Sequence, residues 1–390
     1  LNQVIANSDV IVEVLDARDP DGCRSRAMEK RIICGQSNTF GGKKKLILLL
    51  NKIDLVPSHV LSQWMRLLQR EHPVIAFKAS TQTSKRKLFS NLKFNKVTSD
   101  RQRNSAATNR CVGGAVLIEL LKKYSLAQNL STPLTVGFIG YPNTGKSSVI
   151  NSLKRQQSVP VSSTAGFTTT LKEVKLDAMI KLIDSPGVIL NDNECETRLV
   201  LRNALKLQDI DPIETVAHIL SVANHRALAR IYELNGAFKS CEEFLSILAM
   251  HLGHLKHGGV PDLFRAARLL VNDWNHGKIP FYVIPPSLVE TNTEVKFVQG
   301  GFSEKFDVEQ YLQANHEEAV AVAAQTANND ESAYLQVNPD KFVVGDEEEE
   351  EDVDAFAQDE DDSEEDDGDM DMDEQLIDDD IMKTHAFQTA

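Results

Sequence analysis

GYPNTGKS at residues 140–147 matches the pattern GxxxxGK[ST] and sits in the context that gives this pattern meaning. The apolar run TVGFIG (135–140) leads into it and the helical pattern SSVINSL (147–153) leaves it. The stretch therefore reads as a buried strand, a glycine-rich turn and a helix start. Such a turn aims successive backbone N–H groups at phosphate oxygens, reinforced by the positive end of the helix. Gly140, Asn143, Thr144 and Gly145 form the predicted cradle, with Ser147 and Ser148 at the helix start. Lys146 is positioned to neutralise the terminal phosphates, and Ser147 to hold Mg²⁺.

Outward from this loop, five short apolar runs alternate with helical or loop patterns: VIVEVLDA (10–17), KLILLLNK (45–52), VIAFKAS (74–80), TVGFIG (135–140) and KLIDSPG (181–187). Each is continuous rather than alternating, as expected of strands buried on both faces of a parallel sheet. Between the second and third, Val60, Leu61, Trp64, Leu67 and Leu68 form one helical stripe, with Ser58 as the expected cap and Pro73 as the stop. A further helix is expected from about 114 to 124. After 190 the pattern turns helical. Asp211-Pro212-Ile213-Glu214 and Ser240-Cys241-Glu242-Glu243 read as helix starts, and a third helix spans roughly 262–275.

The base would be read by NKID at 51–54. The Asp54 carboxylate can accept both the N1–H and the exocyclic amine of guanine. Adenine lacks the N1–H and would strand that carboxylate. Asn51 can order the loop and reach the base edge, and the Lys52 stem can cover the ring. NKxD alone is four letters that a plain surface loop also satisfies; beside a phosphate loop it becomes a guanine reader. Ala79 and Ser80, ending the next strand, can offer a backbone N–H to the guanine O6. DSPG at 184–187 completes the set: Asp184 for the Mg²⁺ shell, and the Gly187 N–H for the γ-phosphate, where its presence is sensed. Thr168, in GFTTT (166–170), is the expected threonine that completes the Mg²⁺ shell with GTP bound. Lys146, Thr168 and Gly187 are thus the groups nearest the expected chemistry.

The order of these motifs departs from an ordinary GTPase, in which the phosphate loop comes first and the guanine reader last. Here the reader (51–54) and its companion (79–80) precede the phosphate loop, Thr168 and DSPG. That is a circular permutation. It leaves the site intact because every motif sits at the C-terminal edge of a parallel strand, wherever the chain is cut. The expected architecture is a circularly permuted P-loop GTPase domain over 1–189, with a mainly parallel sheet and a basic insert at 81–110. An all-helical domain follows over 190–286, then a linker with one helix near 307–326 (287–345), and a disordered acidic tail (346–390).

In its motifs the chain resembles the circularly permuted GTPases of ribosome assembly and, within them, the nucleostemin-like nucleolar group. The resemblance spans roughly residues 1–286 and rests on SDVIVEVLDARDP (8–20), NKIDLVP (51–57), FKAST (77–81), GYPNTGKSSVINSL (140–153), DSPGV (184–188) and GKIPFYVIPP (277–286). Asp21 stands where an aliphatic residue is expected. The resemblance implies a GTP-hydrolysing, GDP/GTP-switched protein of the nucleus and nucleolus, acting on large-subunit precursors. It also implies a K⁺ ligand at Asn143. Where a conventional small GTPase carries a water-orienting glutamine, this chain has Val188, so slow intrinsic turnover is expected, aided by K⁺ or the pre-ribosome. The rival reading is a nucleotide-gated protein-binding module with negligible hydrolysis. Leu1 is not expected to be the natural start.

The net charge of −15 conceals a division. Residues 346–380 hold 23 acids, and Lys383 is the one base from 346 onward; residues 1–345 carry 41 bases against 34 acids, a net of +7. The insert 81–110 has eight bases to one acid, which favours RNA contact or nucleolar retention, with rRNA or the pre-60S particle as the expected partner. The acidic tail suits three uses that the sequence does not rank: a solubilising end, an RNA mimic that shields the basic body, or a handle for basic ribosomal or assembly proteins or import factors. The longest aliphatic run, LILLL at 46–50, is far short of a membrane span, so no membrane partner is expected. Five scattered cysteines form no CxxC pair, and His251, His254 and His257 lack metal-binding company.

Overall fold

A computed structural model describes residues 1–35, 44–80, 111–127, 132–162, 166–168, 170–189, 195–208, 210–223, 225–234, 238, 240–286, 308–326 and 334–337. All of these belong to the first of two units, Leu1–Val344; the second, Gly345–Ala390, lies outside them, as does the basic insert 81–110. In chain order the elements are α1 (Asn2–Asn7), β1 (Val10–Asp16), α2 (Arg26–Cys34), β2 (Lys45–Asn51), α3 (Ser58–Gln69), β3 (Val74–Ala76), α4 (Gly114–Ala127), β4 (Leu134–Ile139), α5 (Lys146–Lys154), β5 (Lys172–Lys175) and β6 (Ile180–Asp184). There follow α6 (Glu196–Leu201), α7 (Pro212–Val222), α8 (His225–Ile231), α9 (Cys241–His251), α10 (Leu263–Asn275), β7 (Phe281–Val283), α11 (Val308–Thr326) and β8 (Leu335–Val337).

Six strands form one sheet in the order β3-β2-β1-β4-β6-β5, parallel throughout except for β5, which runs antiparallel to β6. The continuous apolar runs are explained by burial on both faces. Ile11, Leu15, Leu46, Leu48 and Leu50 enter one cluster, and Val10, Val12, Val14, Ile47 and Leu49 enter the other. The second cluster is closed by Leu117, Leu120 and Leu121 of α4 and Val149, Ile150 and Leu153 of α5. The first continues through Trp64 of α3 into Val216, Phe244, Leu270 and Trp274, so the helices after 195 share a core with the sheet. Within β1, Glu13 is fully buried; burial and the neighbouring Glu29 push its carboxyl up to about 8.

Sequence and structure part company in particular places. Ser58 does not cap α3: Pro57 holds the N-cap position with no side-chain cap bond, and Ser58 is the first helical residue. Asp211 and Ser240 do cap their helices, accepting from Ile213 N at 2.9 Å and Glu243 N at 3.2 Å. β5 is a strand missed from sequence, because KEVK buries a single residue, Val174, and carries almost no apolar signal. The stretch 190–286 is not helical to its end. Phe281–Val283, between prolines, forms a strand parallel to Leu335–Val337, while Val283 N donates to Arg18 O at 2.8 Å. The region read as a linker contains the expected helix, α11, and also β8.

Candidate functional site

The motifs converge because β2, β4 and β6 end on one edge of the sheet, in Asn51, just before Gly140, and in Asp184. Between them opens a cavity of about 550 Å³, of the size that nucleotides and similar ligands fill. Asn51, Lys52, Asp54, Ala79, Ser80, Asn143, Gly145, Lys146, Ser147, Ser148, Thr168 and Gly187 line it. The remaining three predicted residues do not reach the wall and act from behind it. Gly140 and Thr144 present carbonyls to Lys146 and Asn51, and Asp184 accepts from Ser147.

On the phosphate side, the chain after Gly145 (φ +96°) enters α5 at Lys146. The Lys146 ammonium is buried inside its own loop, where Nζ donates to Gly140 O at 3.0 Å and Tyr141 O at 2.5 Å. Burial pushes its pKa down to about 8, against the pull of Asp184. An ammonium held by carbonyls alone has paid its desolvation and gains most from an anion. Ser147 Oγ donates to Asp184 Oδ2 at 2.7 Å and lies 3.4 Å from Thr168 Oγ1. Asp184 Oδ1 is buried with no hydrogen-bond partner among the described residues, and burial raises the pKa of this carboxyl. Two hydroxyls beside a buried carboxylate that keeps one oxygen unpartnered fit a hard divalent cation such as Mg²⁺. Gly187 is required by space: a Cβ there would lie 2.5 Å from Pro142 Cα, and the next N–H, of Val188, donates to Gly140 O at 3.3 Å. DSPG is thereby stitched to the phosphate loop.

The base side is joined to the phosphate side directly. Asn51 Nδ2 donates to Thr144 O at 2.8 Å, and a Cβ on Gly145 would collide with that amide at 2.3 Å. Lys52, in the left-handed region at φ +64°, extends Nζ to Asp16 Oδ2 at 2.8 Å. Arg18 grips the same carboxylate with Nε at 3.1 Å and Nη2 at 2.8 Å. Burial alone would raise Asp16, but Arg18 and Lys52 outweigh it and hold it well below the usual carboxylate range. Arg18 also donates to Trp274 O at 3.2 Å and lies over the Phe281 ring, which ties the DARDP stretch to the later helices. Asp54 opens its carboxylate to the cavity with Lys78 Nζ 3.6 Å away. Ser80 N donates to Ser152 Oγ of α5 at 3.0 Å, which makes the Ala79 N–H the member of that pair to offer a base.

Some site partners had no local signal in the sequence. Asn143, at φ +57°, donates Nδ2 to Asn203 O at 2.7 Å, so the phosphate loop touches the segment between α6 and α7. Ser152 and Asn203 lie 72 and 60 residues from the groups they bind, and only the fold brings them there.

Residues 135–247 match a family model described as 50S ribosome-binding GTPase. The chain is similar to the guanine nucleotide-binding protein-like NSN1 of Arabidopsis thaliana, 43 % identical over 73 % of this chain and 48 % of that one. It is 39 % identical to the guanine nucleotide-binding protein-like 3-like protein of Bos taurus, over 85 % of this chain and 56 % of that one. It is 35 % identical to the GTPase grn1 of Schizosaccharomyces pombe, over 75 % of this chain and 62 % of that one. The chain thus spans about half the length of these relatives or somewhat more. Among solved structures, GNP-bound YlqF from T. maritima aligns at 22 % identity with a TM-score of 0.45, over 71 % of this chain and 92 % of that one.

Proposed function

In its matched part the chain belongs to the nucleostemin-like family of guanine nucleotide-binding protein-like 3 proteins, and from that premise we propose that it binds and hydrolyses GTP as a switch in large-subunit ribosome assembly in the nucleolus. The observation that carries this reading is the meeting of a phosphate loop, a guanine reader and a DxPG segment around one cavity, in permuted chain order. Lys146 carries the charge that holds the terminal phosphates, and Asp54 with the Ala79 N–H selects guanine. Ser147, Thr168 and Asp184 would hold Mg²⁺, and the bound ion would supply positive charge beside the phosphates. Gly187 offers its N–H to the γ-phosphate.

The output follows from connectivity. In chain order α6 is the next described helix after Gly187, and Asn203 just beyond α6 accepts from Asn143. Loss of the γ-phosphate therefore shifts a segment that leads into the helices after 195 and is tied at both ends to the phosphate loop, at Val188 and at Asn203. In this reading 1–189 is the nucleotide part and 190–286 the output part. The basic insert 81–110 meets rRNA or the pre-60S particle, and the acidic tail meets basic ribosomal or assembly proteins. Among the described residues no helix is long and apolar enough to cross a membrane.

Val188 in place of a water-orienting glutamine favours slow intrinsic turnover, with K⁺ at Asn143 or the pre-ribosome as the stimulus. The deciding experiment pairs binding of fluorescent GDP and GTP with crosslinking of the tagged protein to RNA in cells. Guanine nucleotide binding and a footprint on pre-ribosomal RNA are the expected results. Binding of ATP as tight as that of GTP would overturn the site reading, and binding of nucleotide without any RNA footprint would favour a nucleotide-gated protein-binding module.

A further inference from the structure

α11 lies beyond the motifs and carries a polar residue that its position makes costly. Leu312, Asn315, Ala319 and Ala323 form its buried face, and Asn315 and Ala319 are fully inaccessible. An asparagine in an apolar stripe loses its water and needs partners. It finds both in one residue. Asn315 Oδ1 accepts from Ala76 N at 2.8 Å, and Asn315 Nδ2 donates to Ala76 O at 3.1 Å. The amide thus pairs with the outward side of β3 as another strand would, at the edge of the six-stranded sheet. Gly113 makes room for it: a Cβ there would lie 2.2 Å from Ala76 O and 3.2 Å from Asn315 Nδ2.

What this pairing holds still is the base side of the cavity. Ala76 lies three residues before Ala79, and Lys78 between them pairs with Val112 and faces Asp54. The same helix packs on the 3-10 turn Ile53–Leu55, which carries Asp54, and on α3 and α4. One helix therefore braces both guanine-reading loops.

We propose that α11 is a positioning element for guanine recognition, with Asn315 fixing the Ala79–Ser80 loop through its paired bonds to Ala76. This rests on the guanine nucleotide reading given above. The helix acts through Ala76 and the Ile53–Leu55 turn, so its loss weakens base readout and spares phosphate binding. By reciprocity, a bound base steadies α11.

The test compares GDP with 2-aminopurine riboside diphosphate, which keeps the exocyclic amine that Asp54 can accept from but has no O6 for the Ala79 N–H to reach. In Asn315→Leu, GDP affinity is expected to fall about tenfold and affinity for the analogue without O6 much less, which narrows the preference for GDP. Gln313→Ala, on the exposed side of the same helix, is expected to leave both unchanged. A general loss of folded protein lowers the two affinities equally, and that outcome overturns the proposal. A measurement on the unmutated chain stands beside it: GDP, and not pyrophosphate, slows amide hydrogen exchange across 308–326. Equal protection by both, or by neither, overturns the proposal even where Asn315→Leu fails to fold. If the unmutated chain binds neither GDP nor GTP, the nucleotide reading falls and takes this inference with it. If it binds GDP and the Asn315→Leu preference is unmoved, this inference falls alone.

Discussion

The phosphate side and the base side of the cavity are built by different means. On the phosphate side, Lys146 bonds to carbonyls five and six residues away and Ser147 to a carboxylate 37 residues away, all within the strand-loop-helix-strand run from β4 to β6. On the base side, Lys52 is held by Asp16, Ser80 by Ser152, and the strand below Ala79 by Asn315, 239 residues from Ala76. The first takes its charge and hydroxyl contacts from its own turn, helix and following strand, with outside ties to its loop at Thr144, from Asn51, and at Asn143, to Asn203. The second is assembled from segments scattered along the chain from Asp16 to Asn315. Phosphate binding should therefore survive damage elsewhere, whereas base selectivity should register changes made far away.

The largest effect that can sharpen this contrast is Lys146→Ala. It removes the one buried cation of the phosphate loop, and GTP and GDP affinity should fall at least a hundredfold, about 3 kcal/mol or more, in equilibrium titration. Asp54→Asn comes next and acts on the base side alone. The new amide cannot accept from the guanine N1–H and amine, so GDP affinity should drop by about a hundredfold. Affinity for xanthosine diphosphate, whose 2-oxo group can accept from an amide, should rise. A parallel loss for both nucleotides would show that Asp54 does not touch the base edge.

The same contrast explains what could be read from sequence. The parallel strands were legible because burial on both faces writes continuous apolar runs such as LILLL (46–50), and the phosphate loop because a turn of this shape tolerates few residue types. β5 escaped because only Val174 is buried in it. Ser58 misled because a serine before a helical stripe resembles a cap, although Pro57 already fixes the backbone there. The role of α11 was illegible for a physical reason. An Asn among alanines looks like any exposed helix position until the sheet edge that needs its amide is placed beside it. The links from Asp16, Ser152 and Asn203 into the site are of the same kind.

A pH titration separates the two sides with a smaller effect. Burial brings Lys146 down to about 8, so above that pH the nucleotide-free loop carries a neutral amine that must be reprotonated to meet phosphate. Affinity for GDP should be nearly flat below pH 8 and roughly tenfold weaker at pH 9, because about nine-tenths of the amine is then neutral. The sign for folding is opposite. The unfolded lysine holds its proton to about 10.5, so between pH 8 and 10.5 the unfolded chain binds more protons, and this group's penalty on stability is relieved as pH rises. An affinity that is flat to pH 9.5 would place the Lys146 ammonium outside the phosphate contact.

The smallest expected change tests the seam between the phosphate loop and the later helices. Asn143→Ala removes the bond to Asn203 O and leaves Lys146, Ser147 and the loop glycines in place. Stability should fall by about 1 kcal/mol, the usual worth of one such bond. GDP affinity should stay within about threefold, because the backbone N–H cradle is unaffected. Hydrolysis should change in kind: if Asn143 serves a K⁺ ion beside the phosphates, GTP turnover by the unmutated chain is faster in K⁺ than in Na⁺, and the variant loses that difference. Asn143 cannot hold Asn203 and serve the ion with the same amide nitrogen. Its carbonyl oxygen is the atom that would face the cation, so the bond to Asn203 orients the ligand instead of competing with it. Equal rates in the two salts for the unmutated chain would leave Asn143 as a tie between the loop and the helices and nothing more.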